Sequence, residues 1–196
     1  MLTLCIDTAY KYLTVCLIKD DEIVTAISDE CFKRQSEQVF VALEELFKSS
    51  DYKKEDIDSV CISRGPGSYT GVRISMSIAK VLCQVKKLKL FTVSTLRLYA
   101  GDKEKQLVVM NARANRAYVG GYDKDVVTME DQILTLEEID PKDNEVICDG
   151  SLIGLEDVNP DIPLNFLNTK KYWEEVSEIN FLAPEYLKEN SAYFNK

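Results

Sequence analysis

One five-residue apolar run constrains the fold more than any other feature of this chain. Residues 59–63 read SVCIS, and they lack the alternation of apolar and charged side chains that marks a strand with one solvent-exposed face. Such a run predicts a central strand that is covered on both faces. Apolar residues recur at helical spacing before and after it, at 35–49 and 70–85, so we predict a helix on each side of this strand.

The surrounding segments complete an α/β pattern. Residues 2–6, 12–18 and 22–28 are short, apolar and β-branched, and they predict three antiparallel strands joined by tight turns. Residues 91–93 predict a fifth strand, and Ser36 is a candidate N-cap for the first helix. Three strands followed by helix, strand, helix and strand is the order of a ribonuclease-H-like half-domain, as in actin-type (ASKHA) ATPases.

The second half of the chain carries weaker signals. Strands are predicted at 107–111, 116–122 and 146–148, and a short helix at 134–139. A polar run between the halves favours a boundary there. We therefore predict two lobes, an N-terminal lobe of residues 1–98 that carries the functional surface and a smaller, shortened α/β lobe of residues 99–196.

Charge balance and the missing histidine exclude several functions. The chain has 24 Lys and Arg against 33 Asp and Glu, a net charge of −9, so we do not expect it to bind nucleic acid strongly by itself. It contains no histidine, which removes the commonest general base, the Ser-His and Cys-His pairs and histidine-based metal sites. We therefore assign no catalytic residue and no metal ligand. Without a basic leader or a long apolar run, we expect a cytoplasmic protein that does not enter a membrane.

The helix predicted at 70–85 is apolar on more than one face. Ile74, Ile78, Val81, Leu82 and Val85 form a row that we expect to pack on the sheet. A second row contains small residues at four-residue intervals, which would let the backbone of another helix approach closely. We predict that this second row and part of the preceding helix form a partner interface, with packing inside the chain's own core as the alternative. The predicted interface consists of Gln35, Val39, Phe40, Leu43, Thr70, Gly71, Val72, Ser75, Met76, Ala79 and Cys83.

A glycine-rich turn precedes this helix. Its backbone N–H groups lie where a strand ends and a helix begins, a position that favours anions. Gly65, Gly67 and Ser68 of this turn, together with Asp7 at the end of the first strand, are therefore candidate nucleotide or anion contacts. The alternatives are a tight turn whose glycines adopt special backbone angles and an aspartate that accepts hydrogen bonds at a strand end.

Several strings of residues together resemble a known family. They are Ile6-Asp7-Thr8, the turn Gly65-Pro66-Gly67-Ser68-Tyr69-Thr70-Gly71-Val72-Arg73, Val93-Ser94-Thr95-Leu96, and Ala183-Pro184-Glu185-Tyr186-Leu187-Lys188. In these strings the chain is similar to the TsaB (YeaZ) family, densely over residues 1–98 and thinly afterwards. It departs from the family at Gln35, where many members have His, and at Asn111, where they commonly have Asp.

The resemblance implies a non-catalytic subunit with the actin-type fold. Such a subunit binds the paralogous threonylcarbamoyl transferase TsaD and works with the ATPase TsaE to form threonylcarbamoyladenosine beside the anticodon of tRNA. TsaD carries a His-x-x-x-His metal site that this chain has no histidine to match. The family's interface implies a surface on the two helices at 35–48 and 70–85, which homodimers also use. No firmly bound cofactor is implied, and ATP or ADP at the partner interface stays open.

Two other functions remain open from the residues. One is an enzyme in its own right, an ATPase of the actin type or a peptidase, although Thr8 and Ala9 follow Asp7 where an actin-type phosphate loop has a glycine. The other is a homodimeric interaction module with an unrelated partner.

Overall fold

The protein folds into two β-sheets with helices packed between and around them. The computed structural model describes residues 1–31 and 34–187, and ten strands and four α-helices lie within them. The strands are β1 Leu2–Asp7, β2 Tyr12–Lys19, β3 Glu22–Glu30, β4 Ser59–Ser63, β5 Lys89–Val93, β6 Gln106–Arg113, β7 Arg116–Asp123, β8 Val126–Thr135, β9 Glu145–Cys148 and β10 Glu174–Glu175. The helices are α1 Gln35–Lys48, α2 Tyr69–Lys86, α3 Thr95–Ala100 and α4 Ile162–Asn168.

The first sheet has the predicted ribonuclease-H-like order. Its strands run β10-β5-β4-β1-β2-β3, with β1, β2 and β3 as an antiparallel meander. The apolar run at 59–63 is β4, which lies centrally, parallel to both β1 and β5, and is buried along its whole length. The α/β fold class is therefore confirmed.

Helices α1 and α2 cover one face of this sheet. Both form within one or two residues of the predicted bounds, because their buried residues recur at helical spacing. The predicted N-cap Ser36 is wrong, since α1 begins at Gln35 and the residue before it, Arg34, makes no side-chain capping bond. Ser68 does cap α2, and its hydroxyl accepts a hydrogen bond from the Gly71 N–H.

The second sheet is built mainly from an antiparallel meander of β6, β7 and β8, of which β8 was not predicted from the sequence. Its order is β8-β7-β6-β9, with β9 parallel to β6. The three strands predicted in this half are present, but the short helix predicted at 134–139 is wrong. Those residues are the end of β8 and the 3₁₀ turn Leu136–Glu138. Helices α3 and α4 pack between the two sheets and share one hydrophobic core with them.

The last described residues return to the first sheet. Strand β10 pairs with β5, and Val176, Ile179 and Leu182 pack against the core beneath α1 and α2. We call residues 174–187 the strap. A division at residue 98 therefore does not describe this segment, because it follows the second lobe in sequence but packs on the first. Across the described ranges 1–31 and 34–187, no helix has the length and apolar character needed to cross a membrane.

Candidate docking surface and interlobe cleft

The α2 row that we predicted to face a partner points into the protein instead. Val72, Met76, Ala79 and Cys83 are buried, and Ala79 has no exposed surface. They belong to the core that α1 and α2 form with the first sheet. The assignment of these residues to an accessible interface is therefore wrong, and the internal-core alternative is correct for this row.

Small side chains on this row serve close packing inside the molecule. A Cβ atom added to Gly71 would lie 2.1 Å from the carbonyl oxygen of Thr8. The Thr8 hydroxyl donates a hydrogen bond to the Gly71 carbonyl oxygen at 2.6 Å and accepts one from the Ser75 N–H at 3.2 Å. Gly71 and Ser75 thus let α2 approach the end of β1, which is why both are buried rather than open to another chain.

Helix α1 divides its predicted interface residues between the core and the surface. Val39 is buried, and so is Gln35, whose side-chain amide donates to the Tyr10 carbonyl oxygen at 2.8 Å. Leu43 is half-buried, and Phe40 leaves 65% of its surface exposed. Only Phe40 and Leu43 of this group can be reached by another protein.

The accessible apolar surface lies on the other row of α2, which we had expected to pack on the sheet. Val81 and Val85 are 61% and 75% exposed, and Ile74 and Ile78 are half-buried. These four residues recur at helical spacing on the side of α2 opposite its buried row. Ser36 of α1 and Ile74 of α2 border the same cleft. Phe40 and Leu43 follow Ser36 at helical spacing and therefore lie on the side of α1 that faces α2. We name these six residues, Phe40, Leu43, Ile74, Ile78, Val81 and Val85, the α1–α2 surface; the predicted residue Thr70 is exposed beside it.

Asp7 is a buried acceptor and not a contact for a nucleotide or anion. It has no exposed surface, and its carboxylate accepts hydrogen bonds from the Ser63 hydroxyl, the Tyr99 hydroxyl at 2.8 Å and the Ala9 N–H at 3.2 Å. Burial raises the pKa of Asp7, and the hydrogen bonds oppose that rise. The alternative interpretation as a strand-end acceptor is therefore correct.

Backbone atoms of the protein itself occupy the space beside the glycines of the turn. Gly65 has a φ of 112°, and a Cβ atom there would lie 2.4 Å from the carbonyl oxygen of Glu185 in the strap. A Cβ atom on Gly67 would lie equally close to the carbonyl oxygen of Ala9, which also accepts from the Ser68 N–H at 2.7 Å. Gly65 and Gly67 therefore do not form an open anion cradle. The exposed Ser68 side chain already caps α2.

A cleft of about 750 Å³ separates the turn from the second sheet. At its base, Asp149 from the second lobe accepts hydrogen bonds from the Tyr10 hydroxyl and the Lys11 ammonium group. The Asn111 N–H lies 2.9 Å from both the Tyr10 hydroxyl and the Asp149 carboxylate. Burial raises the pKa of Tyr10, and its hydrogen bond to Asp149 and the charge of that carboxylate raise it further. The charged and polar groups at this base are therefore paired with one another across the lobes.

Both family departures noted in the sequence meet at this base. Gln35 binds the backbone of Tyr10, and Asn111 contacts the Tyr10 hydroxyl through its own backbone N–H. Sequence reasoning did not identify Tyr10, Lys11 or Asp149, because their partners are more than a hundred residues apart in the chain. No local pattern signals such a pairing.

The strap also reaches the start of α2. Arg64 forms ion pairs with Glu174 and with Glu185, the latter at 2.8 Å. The Tyr186 ring stacks on Tyr69 with 5.3 Å between ring centroids. The family-like string at 183–188 thus packs against the family-like glycine turn, except that its last residue, Lys188, lies outside the described residues.

A family model and a solved structure show which class of protein the chain belongs to. The family model for TsaD, tRNA N6-adenosine threonylcarbamoyltransferase, matches residues 28–145. The solved structure of YeaZ from Pseudomonas aeruginosa superimposes with a TM-score of 0.78, covering 95% of this chain and 99% of that one at 18% identity. The protein therefore has the TsaD-like fold.

Curated relatives narrow the class to a family. TsaB of Bacillus subtilis is 28% identical over 96% of this chain and 94% of its own length. TsaB of Buchnera aphidicola (Schizaphis graminum) is 31% identical over 61% of this chain, and the match spans 59% of that relative. Both are named tRNA threonylcarbamoyladenosine biosynthesis proteins. The chain belongs to the TsaB (YeaZ) family.

Proposed function

We propose that this protein is an accessory subunit in the formation of threonylcarbamoyladenosine on tRNA. It binds a TsaD-type transferase through the α1–α2 surface and works with a TsaE-type ATPase in the cytoplasm. In the absence of the transferase, the same surface pairs two copies of the chain. The names of the curated relatives support the pathway, and the geometry of α2 supports the surface.

One observation carries this proposal: the outward row of α2 is apolar, with Val81 and Val85 exposed and Ile74 and Ile78 half-buried. Exposed branched side chains in a continuous row are typical of surfaces that bind another protein. Apolar residues on two neighbouring helices suit a partner that contributes helices of its own, as a transferase of related fold would. We propose that the partner supplies the catalytic centre and the main tRNA contacts, since this chain carries a net charge of −9.

The cleft supports a subunit without its own chemistry better than it supports an ATPase or a peptidase. Asp7 is engaged by Ser63 and Tyr99, and Lys11 is paired with Asp149. We therefore propose that any ATP or ADP taking part lies at the partner interface and not at the glycine turn. ATP hydrolysis by the isolated chain that disappears in Asp7→Asn would favour the stand-alone enzyme instead.

Reconstitution with a TsaD-type transferase tests the proposal. Val81→Asp places a charge at an exposed position of the α1–α2 surface and should reduce co-elution with the transferase, and its tRNA-modifying activity, by at least about tenfold. Val126→Asp is the matched control, because Val126 is 60% exposed on the other lobe. Equal activity of the two variants, or transferase activity from this chain alone, would contradict the proposed role.

A further inference from the structure

A second surface lies on the far side of α1 from α2. There β3 forms the edge of the first sheet, and within residues 1–31 and 34–187 its only partner strand is β2. The outer backbone N–H and C=O groups of an edge strand can hydrogen-bond another extended segment. β3 contains no proline, and a β-bulge at Val24, where its register with β2 shifts, leaves residues 25–30 as the regular part of the edge.

A groove of about 550 Å³ runs between β3 and α1 above this edge. Its apolar lining comes from Leu13 and Ile27 on the strands and from Val41 and Ala42 on α1. An added strand places alternate side chains on the two faces of the sheet, so every second residue would enter the groove. The groove can therefore hold small apolar side chains of a segment that pairs with β3.

The rim of the groove is acidic. Asp29, Glu30 and Glu45 line it and are exposed. Among the described lining residues Arg34 is the one basic residue, and it lies 3.9 Å from Glu37. Opposite charges on neighbouring strands stabilise pairing, and like charges destabilise it. This rim therefore favours a segment that carries lysine or arginine.

A second copy of the chain does not match this chemistry. Strand β3 reads EIVTAISDE, with three acidic residues and no basic one. Pairing two β3 edges would bring like charges together. We infer that the β3 edge and its groove bind an extended basic segment of a partner protein, which adds a strand to the first sheet.

This inference does not depend on the proposed function. The two sites lie on different sides of α1, since Val41 lines the groove and Phe40 belongs to the α1–α2 surface. Both can be occupied at the same time. The groove gives a place for a further protein in an assembly whose α1–α2 surface is already covered.

A peptide of the same length as β3, with alternating valine and lysine, tests the inference. We expect it to bind the full chain, to bind more weakly as salt is raised, and to slow hydrogen exchange at the β3 amides. A peptide with glutamate in place of lysine should not bind. A peptide with proline in place of each valine should not bind either, because proline lacks the N–H that strand pairing needs.

Matched charge variants separate this site from general attraction to an acidic protein. The double variant Asp29→Lys, Glu45→Lys should weaken peptide binding about tenfold or more. The double variant Glu137→Lys, Glu156→Lys makes the same change in net charge at exposed positions on the second lobe and should bind like wild type.

Equal losses in both double variants, or no slowing at β3, would overturn the inference. The assigned occupant would also be wrong if the wild-type chain dimerised with β3 protected. The same holds if peptide bound well only after residues 188–196 were removed, because the chain's own terminus would then be the occupant.

Discussion

The interlobe cleft and the α1–α2 surface differ in whether their side chains already have partners within the protein. At the base of the cleft, Tyr10, Lys11 and Asp149 are paired with one another. On the α1–α2 surface, Val81 and Val85 each expose more than half of their surface. Buried polar groups that are already satisfied gain little from a ligand, whereas exposed apolar area is stabilised by any partner that removes it from water. The α1–α2 surface is therefore the better candidate for binding a partner than the cleft is.

The largest effect on the free energy of unfolding is expected from a charged residue in the buried row of α2, compared with the same residue in the exposed row. Ala79→Arg places a charged side chain in the core beneath the helix and should lower the free energy of unfolding by more than about 4 kcal/mol, because nothing there can pair with it. Val81→Arg, two residues away on the exposed row, should change it by less than about 0.5 kcal/mol. Urea denaturation of both variants measures the contrast. A stable Ala79→Arg variant that merely loses its partner would restore the original assignment of the interface.

Asp149→Ala tests whether the paired groups at the base of the cleft stabilise the protein. Its buried carboxylate accepts from Tyr10, Lys11 and the Asn111 N–H, so its removal leaves several donors unpaired. We expect a loss of about 3 kcal/mol in the free energy of unfolding and faster hydrogen exchange at the Asn111 amide.

Asp143→Ala is the control for that variant. It removes an ion pair with Lys105 whose two side chains are more than half exposed, so it should cost less than about 1 kcal/mol. Equal stability of the two variants would mean that the contacts at the cleft base do not hold the lobes together.

The sequence predicted the first sheet well because its information is local. The unbroken apolar run of β4 and the helical spacing in α1 and α2 each occupy a single stretch of chain. The order of strands and helices then follows from chain connectivity. For the glycine turn, the alternative interpretation was the correct one at Gly65, which has a positive φ, whereas Gly67 is needed for the close approach to Ala9.

The site was harder to predict because its information is not local. Both rows of α2 are apolar, so periodicity alone could not decide which one faces the sheet. Small residues fit a close approach to any backbone, and the backbone they meet is the protein's own, at Thr8. The strap was missed because its contacts with Arg64 and Tyr69 are more than a hundred residues away in sequence.

The smallest expected effect concerns the buried carboxylate of Asp7, and it appears as a pH dependence. Burial raises the pKa of Asp7 above the ordinary value of 3.8, so between that value and its pKa in the folded protein the folded state binds more protons than the unfolded state. This group therefore lowers stability as pH rises through that window, by about 1.4 kcal/mol for each unit of elevation. Asp7→Asn removes the titration: its amide oxygen can still accept from the Ser63 hydroxyl, and its NH2 group can donate to the oxygen of the Tyr99 hydroxyl. The free energy of unfolding of wild type relative to Asp7→Asn should thus fall as pH rises above 3.8 and then level off. Parallel pH profiles of the two proteins would mean that the surrounding hydroxyl groups cancel the effect of burial on the pKa of Asp7. Ionisation of this buried carboxylate would then not lower the free energy of unfolding.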